Sequence, residues 1–320
     1  MTNPPATPPV LCIGEILIDL IADPGESLTT AATFAIREGG APMNAAIAMA
    51  RLGLPSRFCG AVGDDQFGER LRALLDREGV DASSLRTIDG EGTSIAYAWR
   101  DERGDGHFQL VRLADRLLRP SDVAAANVEG AGAMLVGSVA LAAAPSRDAI
   151  SRAVEIATKA GVPVIFDVNV RPTLWPGQAS LLAACEPILE ACRVLKLSLD
   201  DARQLWDVET TAEALEHTRG YGPWLTVITD GSRGVAVQGA GAEGHREFPV
   251  ISVKAVDPTG AGDAFTAALI TRLVQSGWKT PTDADIRFAM AAGALATTRQ
   301  GALTALPTLA ELERFLAEEA

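Results

Sequence analysis

The sequence predicts an α/β protein in which a parallel sheet is covered by helices on both faces, and three observations carry that prediction. Short apolar runs alternate with helix-length segments, the order that builds strand, helix and strand units. The runs are nearly free of polar residues, as strands buried on both faces are. A length of 320 residues with 48% hydrophobic content is enough for one large core.

The opening MTNPPATPPV is proline-rich, has no basic segment before an apolar core, and reads as a loose tail and not a signal peptide. Residues 10–21 form an apolar run broken only by Gly14, Glu15 and Asp19 and read as a first strand. Residues 44–52 read as a closely packing alanine-rich helix, 57–62 as the next strand, and 68–79 as an amphipathic helix with Leu71, Leu74 and Leu75 on one face. Residues 93–100 and 107–113 mix β-branched, aromatic and polar side chains around a charged, glycine-containing tip, and read as a hairpin of a half-exposed sheet. With residues 31–38 they are expected to form a small β lid, inserted in sequence but not a separate folding unit. Strands follow at 133–136, 162–167, 194–197 and 224–229, with helices at 146–160 and 178–191. The low-polarity run 134–144 ends at Pro145 and is too short to span a bilayer. An apolar helix at 264–273 and a small-residue helix at 289–300 complete the order, with no internal repeat or low-complexity linker.

Composition narrows the function. A net charge of −13 and a pI near 4.8 argue against nucleic-acid and anionic-membrane partners. Cys12, Cys59, Cys185 and Cys192 form no CxxC pair, and no His stands at zinc spacing, which points to a reduced, cytoplasmic compartment. GxxxxGK[ST] does not occur, no glycine fingerprint opens the helix after the first strand, and there is no G-x-S-x-G elbow. His107, His217 and His245 sit in unrelated, mostly polar contexts.

Three motifs carry chemistry. Asp257-Pro258-Thr259-Gly260-Ala261-Gly262-Asp263 runs straight into the apolar helix. A helix start exposes free N–H groups and the positive end of the dipole, and glycines let an anion approach the backbone. Asp263 at that point is a carboxylate able to take a proton from an attacking hydroxyl. Gly39-Gly40-Ala41-Pro42-Met43-Asn44 is a second glycine-to-helix junction, where Asn44 offers a donor and an acceptor to hydroxyls. Asp167-Val168-Asn169-Val170-Arg171 follows a strand. There Arg171 offers paired donors to a sugar or phosphate oxygen, while Asn169 and Asp167 order hydroxyls or metal-bound waters. Each motif also has a plain structural reading, as turn, hinge or cap.

The string DPTGAGDAFTAALI closely resembles the C-terminal signature of the ribokinase-like (PfkB) carbohydrate kinases, and GGAPMNAA resembles their N-terminal sugar-binding signature. The likeness runs from Gly14-Glu15 to the turn at Gly301. It implies a ribokinase-like three-layer α/β/α sandwich with a small β-sheet lid, a single domain over residues 1–320 with lid segments near 31–38 and 93–113. It implies ATP-dependent phosphorylation of a primary hydroxyl of a sugar, with Asp263 as base and the N–H groups of Gly260, Ala261 and Gly262, together with Mg²⁺, holding charge. Asp19, Gly39, Gly40 and Asn44 match the family's sugar contacts, to which Asn169 and Arg171 are added. Nucleotide contacts are expected at Ser198, Thr229, Gly231, Gly260 and Gly262, and the 289–300 helix borders adenine. Lys196-Leu197-Ser198-Leu199-Asp200-Asp201 departs from the family's Asn-x-x-Glu motif, having serine first and aspartate last, so that Asp201 becomes a shorter-armed candidate for Mg²⁺ through water. Asp257 and Thr259 are candidates for a monovalent cation such as K⁺. A homodimer is also expected. GGAPMN and DVNVRPTLW look most like fructokinases, which makes fructose the first expectation. 2-Keto-3-deoxygluconate is the alternative, its carboxylate meeting Arg171 or Arg100, and a non-catalytic sugar or nucleotide sensor is the reading from a different class.

Overall fold

Strand β1 (Val10–Ile13) shows how the main sheet is built. Val10 and Cys12 face one apolar cluster while Leu11 and Ile13 face the other, so the strand is buried on both sides. The chain continues through β2 (Leu17–Ala22), β3 (Phe34–Gly39), α1 (Ala41–Arg51), β4 (Ser56–Gly63), α2 (Gln66–Arg77), β5 (Asp81–Ile88), β6 (Ile95–Arg100) and β7 (Gly106–Val111). After α3 (Pro120–Ala125) strands and helices alternate: β8 (Ala133–Gly137), α4 (Ser146–Ala160), β9 (Val164–Asp167), α5 (Gln178–Ala191) and β10 (Val194–Ser198). Next come α6 (Leu199–Trp206), α7 (Thr211–Arg219), β11 (Leu225–Thr229), β12 (Val235–Gly239) and β13 (His245–Phe248). Four helices close the chain: α8 (Ala261–Gln275), α9 (Asp283–Ala296), α10 (Ala302–Ala305) and α11 (Leu309–Glu319). The structure is a computed structural model and describes residues 7–23, 25–100, 106–239 and 244–319.

Among the described residues, nine strands form one sheet in the order β13-β12-β11-β10-β9-β8-β1-β4-β5, parallel from β11 through β5 and antiparallel at β12 and β13. Ile47, Leu71, Leu269, Ile286 and Leu312 bring α1, α2, α8, α9 and α11 onto one face. Val123, Ile150, Ile188, Ala202 and Leu215 bring α3 to α7 onto the other. This is the expected three-layer sandwich. The chain leaves β1 toward β4 and β5 on one side and returns to β8 on the other, so the carboxyl ends of β1, β8 and β9 border a topological switch point.

The small sheet has the order β3-β2-β6-β7. Its presence corrects the expectation of one strand over 10–21: the chain turns at Gly14, with φ near 155°, and β1 and β2 belong to different sheets. The apolar run resumes directly after Gly14-Glu15 because Ile16, Leu17 and Ile18 are buried at the junction of the two sheets. The strand within the expected 31–38 segment begins at Phe34, and Thr93 and Ser94 precede the hairpin strand as buried junction residues. Thr93 donates to Asp65, and Ser94 to Asp115. Most of the proline-rich start and the charged hairpin tip at 101–105 lie outside the described residues, as does the Arg100 side chain. No described helix is long and apolar enough to cross a membrane.

Candidate active site

The site grows from the start of α8. Gly260 has φ 83°, a left-handed conformation, and a Cβ there would lie 2.9 Å from the Ala302 Cα. Ahead of it, Asp257 closes a tight turn: Oδ1 accepts from the Thr259 N–H at 3.1 Å and from its hydroxyl at 2.7 Å, while Oδ2 accepts from the Gly301 N–H at 2.9 Å. Both carboxylate oxygens of this expected cation ligand are therefore engaged in fixing the turn. Ala261 donates its N–H to the Pro258 carbonyl at 3.2 Å, so of the expected Gly260 to Gly262 set the middle donor is engaged, while the N–H groups of Gly260, Gly262 and Asp263 make no backbone hydrogen bond among the described residues.

Asp263 lies half-buried on the first turn and accepts from Asn44 Nδ2 at 2.7 Å. Asn44, sequence-distant and on α1, thus holds the carboxylate itself. Its own Oδ1 is buried without a partner, an acceptor left for a hydroxyl beside Asp263. Burial pushes Asp263 up to about 6, against the Asn44 hydrogen bond, with Asp167 adding to the rise and Lys196 and Arg171 opposing it.

The α1 start forms the facing wall. Gly40 has φ 120°, and a Cβ on it would meet the Glu15 carbonyl at 2.5 Å; one on Gly39 would strike the Asp19 carboxylate. The glycines thus let β2 and its Asp19 approach the helix. Burial pushes Asp19 up to about 7; Arg171 lowers it and Asp263 raises it, so the two carboxylates and the guanidinium share one space. Glu15 was not anticipated. It accepts from the Ala41 N–H at 3.2 Å, its Oε2 is buried without a partner, and burial pushes it up to about 7.

The segment after β9 differs from expectation. Asn169 adopts φ 44°, rare for a side-chain-bearing residue, and its Oδ1 accepts from Arg171 Nη1 at 2.6 Å. Asn169 therefore aims Arg171, which acts on Glu15, Asp19 and Asp263 together. Asp167 is not free to order hydroxyls: it accepts from Lys196 at 3.0 and 3.2 Å and from Thr266 at 2.7 Å. Asp201 and Ser198 form a reciprocal capping box on α6, with Ser198 Oγ 2.7 Å from Oδ2, and Asp201 Oδ1 accepts from the Val170 N–H at 2.7 Å. Both expected nucleotide-side groups are thereby engaged in local structure. Thr229 ends β11 in register with Ser198, and Gly231, φ 49°, opens the next turn; these two stand apart from the Asp263 group, two strands from Asp167.

No three His, Cys, Asp or Glu side chains among the described residues are grouped to hold a metal. The open N–H groups of α8, the glycine junctions and the unpartnered Asn44 oxygen fit a phosphate donor and a polyhydroxyl acceptor.

The chain matches the pfkB family carbohydrate kinase model over residues 8–309. A fructokinase of Salmonella typhimurium is 38% identical over 312 residues, covering 95% of this chain and 98% of that protein. The structure of a Vibrio cholerae O395 fructokinase holding fructose, ADP and a calcium ion superposes with a TM-score of 0.83 at 31% identity, covering 97% and 99% of the two chains. A Xylella fastidiosa fructokinase with bound ATP gives 0.85 at 29% identity, covering 97% and 98%.

Proposed function

The chain belongs to the pfkB family of carbohydrate kinases and is an ATP-dependent sugar kinase, and from that premise we propose that its sugar is fructose, phosphorylated at the 6-hydroxyl. The observation that carries the site assignment is the Asp263–Asn44 contact, which brings a base and an unpartnered acceptor together between two glycine-opened helix starts. Asn44 and Asp19 hold sugar hydroxyls between Gly39-Gly40 and α8. Asp263 accepts the proton of the attacking hydroxyl. ATP, with Mg²⁺ as the proposed metal, supplies the phosphoryl group. The N–H groups of Gly260, Gly262 and Asp263 and the dipole of α8 face the charge on that group, so positioning and electrostatics provide most of the rate. Thr229 and Gly231 lie along the nucleotide. K⁺ is placed at the turn made by Asp257 and Thr259, where the Asp257 oxygens already hold the Thr259 and Gly301 N–H groups and keep further acceptor capacity for a cation.

Fructose is favoured over 2-keto-3-deoxygluconate by the fructokinase relatives and by the carboxyl groups of Glu15, Asp19 and Asp263 that already surround Arg171 and would repel a substrate carboxylate when ionised. The four-stranded sheet closes over the sugar and pairs with a second copy through the exposed Ile36 and Phe108. Sedimentation tests the pairing, and hydrogen exchange with and without fructose tests the closure. ADP release measured across fructose, ribose, glucose and 2-keto-3-deoxygluconate, with Mg²⁺ and with or without K⁺, tests the substrate. Fructose should give the highest kcat/KM, and a higher value for the keto acid would overturn the choice.

A further inference from the structure

One buried pair is unexplained by the sugar and nucleotide contacts. Lys196 and Asp167 stand in register on β10 and β9, both nearly inaccessible to solvent, with the ammonium 3.0 and 3.2 Å from the two carboxylate oxygens. The neighbouring β10 positions are Val194, Leu195 and Leu197, and an apolar pair would avoid the cost of taking two charges out of water. The pair lies against α8. Thr266, one turn after Asp263, donates to Asp167 at 2.7 Å, and a Cβ on Gly262 would lie 3.1 Å from the ammonium. Absence of a side chain at Gly262 therefore leaves the space that Lys196 fills beneath the first turn.

We propose that Lys196 and Asp167 are positioning residues for phosphoryl transfer, a buried ion pair that fixes the first turns of α8 through Thr266 and balances the charge beneath Asp263. The inference rests on the reading of Asp263 as base. Around Asp263 stand Asn44 from α1, Asp19 from β2, Arg171 from the segment after β9, Asp167 from β9 and Lys196 from β10, with Asp201 of α6 acting on the pair from behind. Asp167 opposes ionisation of Asp263, and Lys196 and Arg171 favour it. The pair gives α8 a fixed anchor without leaving a net charge under the base.

The pH dependence of kcat in Asp167→Asn and in the double variant Lys196→Met with Asp167→Asn tests this, with Asp263→Asn as control. Asp167→Asn leaves the Lys196 charge unopposed, so the acid limb near 6 should move to lower pH by about one unit. The double variant removes that charge, and the downward shift should disappear. Loss of stability alone moves no limb. An unmoved limb in Asp167→Asn, or the same shift in both variants, would overturn the proposal. If Asp167→Asn does not fold, the double variant, which buries no unpaired charge, decides. Its kcat should fall about tenfold while both KM values stay within about twofold, and an unchanged kcat would overturn the proposal. Near-normal turnover in Asp263→Asn would instead defeat the reading of the base, a separate result.

Discussion

Helices α6 and α8 begin at the same end of the main sheet and treat their first N–H groups in opposite ways. On α6, Ser198 and Asp201 satisfy each other in a closed box, and Asp201 also ties down Val170. On α8, the position before the helix is a left-handed Gly260 with no side chain to offer, and the N–H groups of Gly262 and Asp263 stay open. A capped start contributes roughly 0.5–2 kcal/mol of stability. An open one forgoes that and keeps its donors and dipole for an anion. The difference separates the two motifs that both looked chemical: one end of a helix is finished within the protein, and the other awaits a ligand.

The strongest way to break the contrast is at Asp263. Asp263→Asn keeps the shape and the Asn44 neighbour but removes the proton acceptor, and kcat should fall by roughly 10² to 10⁴. The native enzyme carries a related signature. Because burial raises Asp263 to about 6 and the ionised form is the base, kcat should be level above that pH and decline as pH falls through it. A kcat unchanged well below 6, or a variant with near-normal turnover, removes Asp263 from the chemistry.

Asp19 tests the facing wall. Loss of a charged hydrogen bond to a hydroxyl costs roughly 1.5–3 kcal/mol, so Asp19→Ala should raise the sugar KM by about an order of magnitude or more with little change for ATP. The measurement belongs above pH 7, where Asp19, pushed up to about 7, is ionised. A change confined to the ATP KM would reverse the division of the cleft. Gly260→Ala asks whether the open helix start needs its glycine. The left-handed backbone costs a side-chain-bearing residue roughly 1–2 kcal/mol, and the new Cβ meets Ala302. Thermal unfolding should show that loss, and the ATP KM should rise by about threefold or more as the donors tilt. An unaltered ATP KM would place the nucleotide elsewhere.

Much of this was legible in the sequence because buried parallel strands announce themselves as apolar runs, and because Gly260 to Asp263 and Gly39 to Asn44 are local motifs. What escaped depends on partners far along the chain. The Asn44–Asp263 contact joins two helices whose contacting residues lie 219 positions apart in the chain, and Lys196 gains its meaning only from the β9–β10 register. Strand β5 and helix α7 do not stand out because their exposed faces dilute the apolar pattern, and β13 is largely exposed at the edge of the sheet. Ser-x-x-Asp at 198–201 is a different case: the capping-box spacing was visible, but the family's magnesium motif occupied the same residues.

Ser198 therefore gives the finest test of the comparison between the two helix starts. Its hydroxyl donates to Asp201 at 2.7 Å and accepts from the Asp201 N–H at 3.0 Å, so Ser198→Ala removes one cap and leaves Asp201 its bonds from the Ser198 and Val170 N–H groups. The remaining box should hold α6 in place. Stability should drop by about 1 kcal/mol in denaturant unfolding, the usual value of a lost serine cap. The ATP KM should stay within about twofold, because the hydroxyl is spent inside the box. A tenfold rise in the ATP KM, with stability little changed, would show that the serine turns from its cap to the nucleotide when ATP binds, and α6 would then join α8 as an open start.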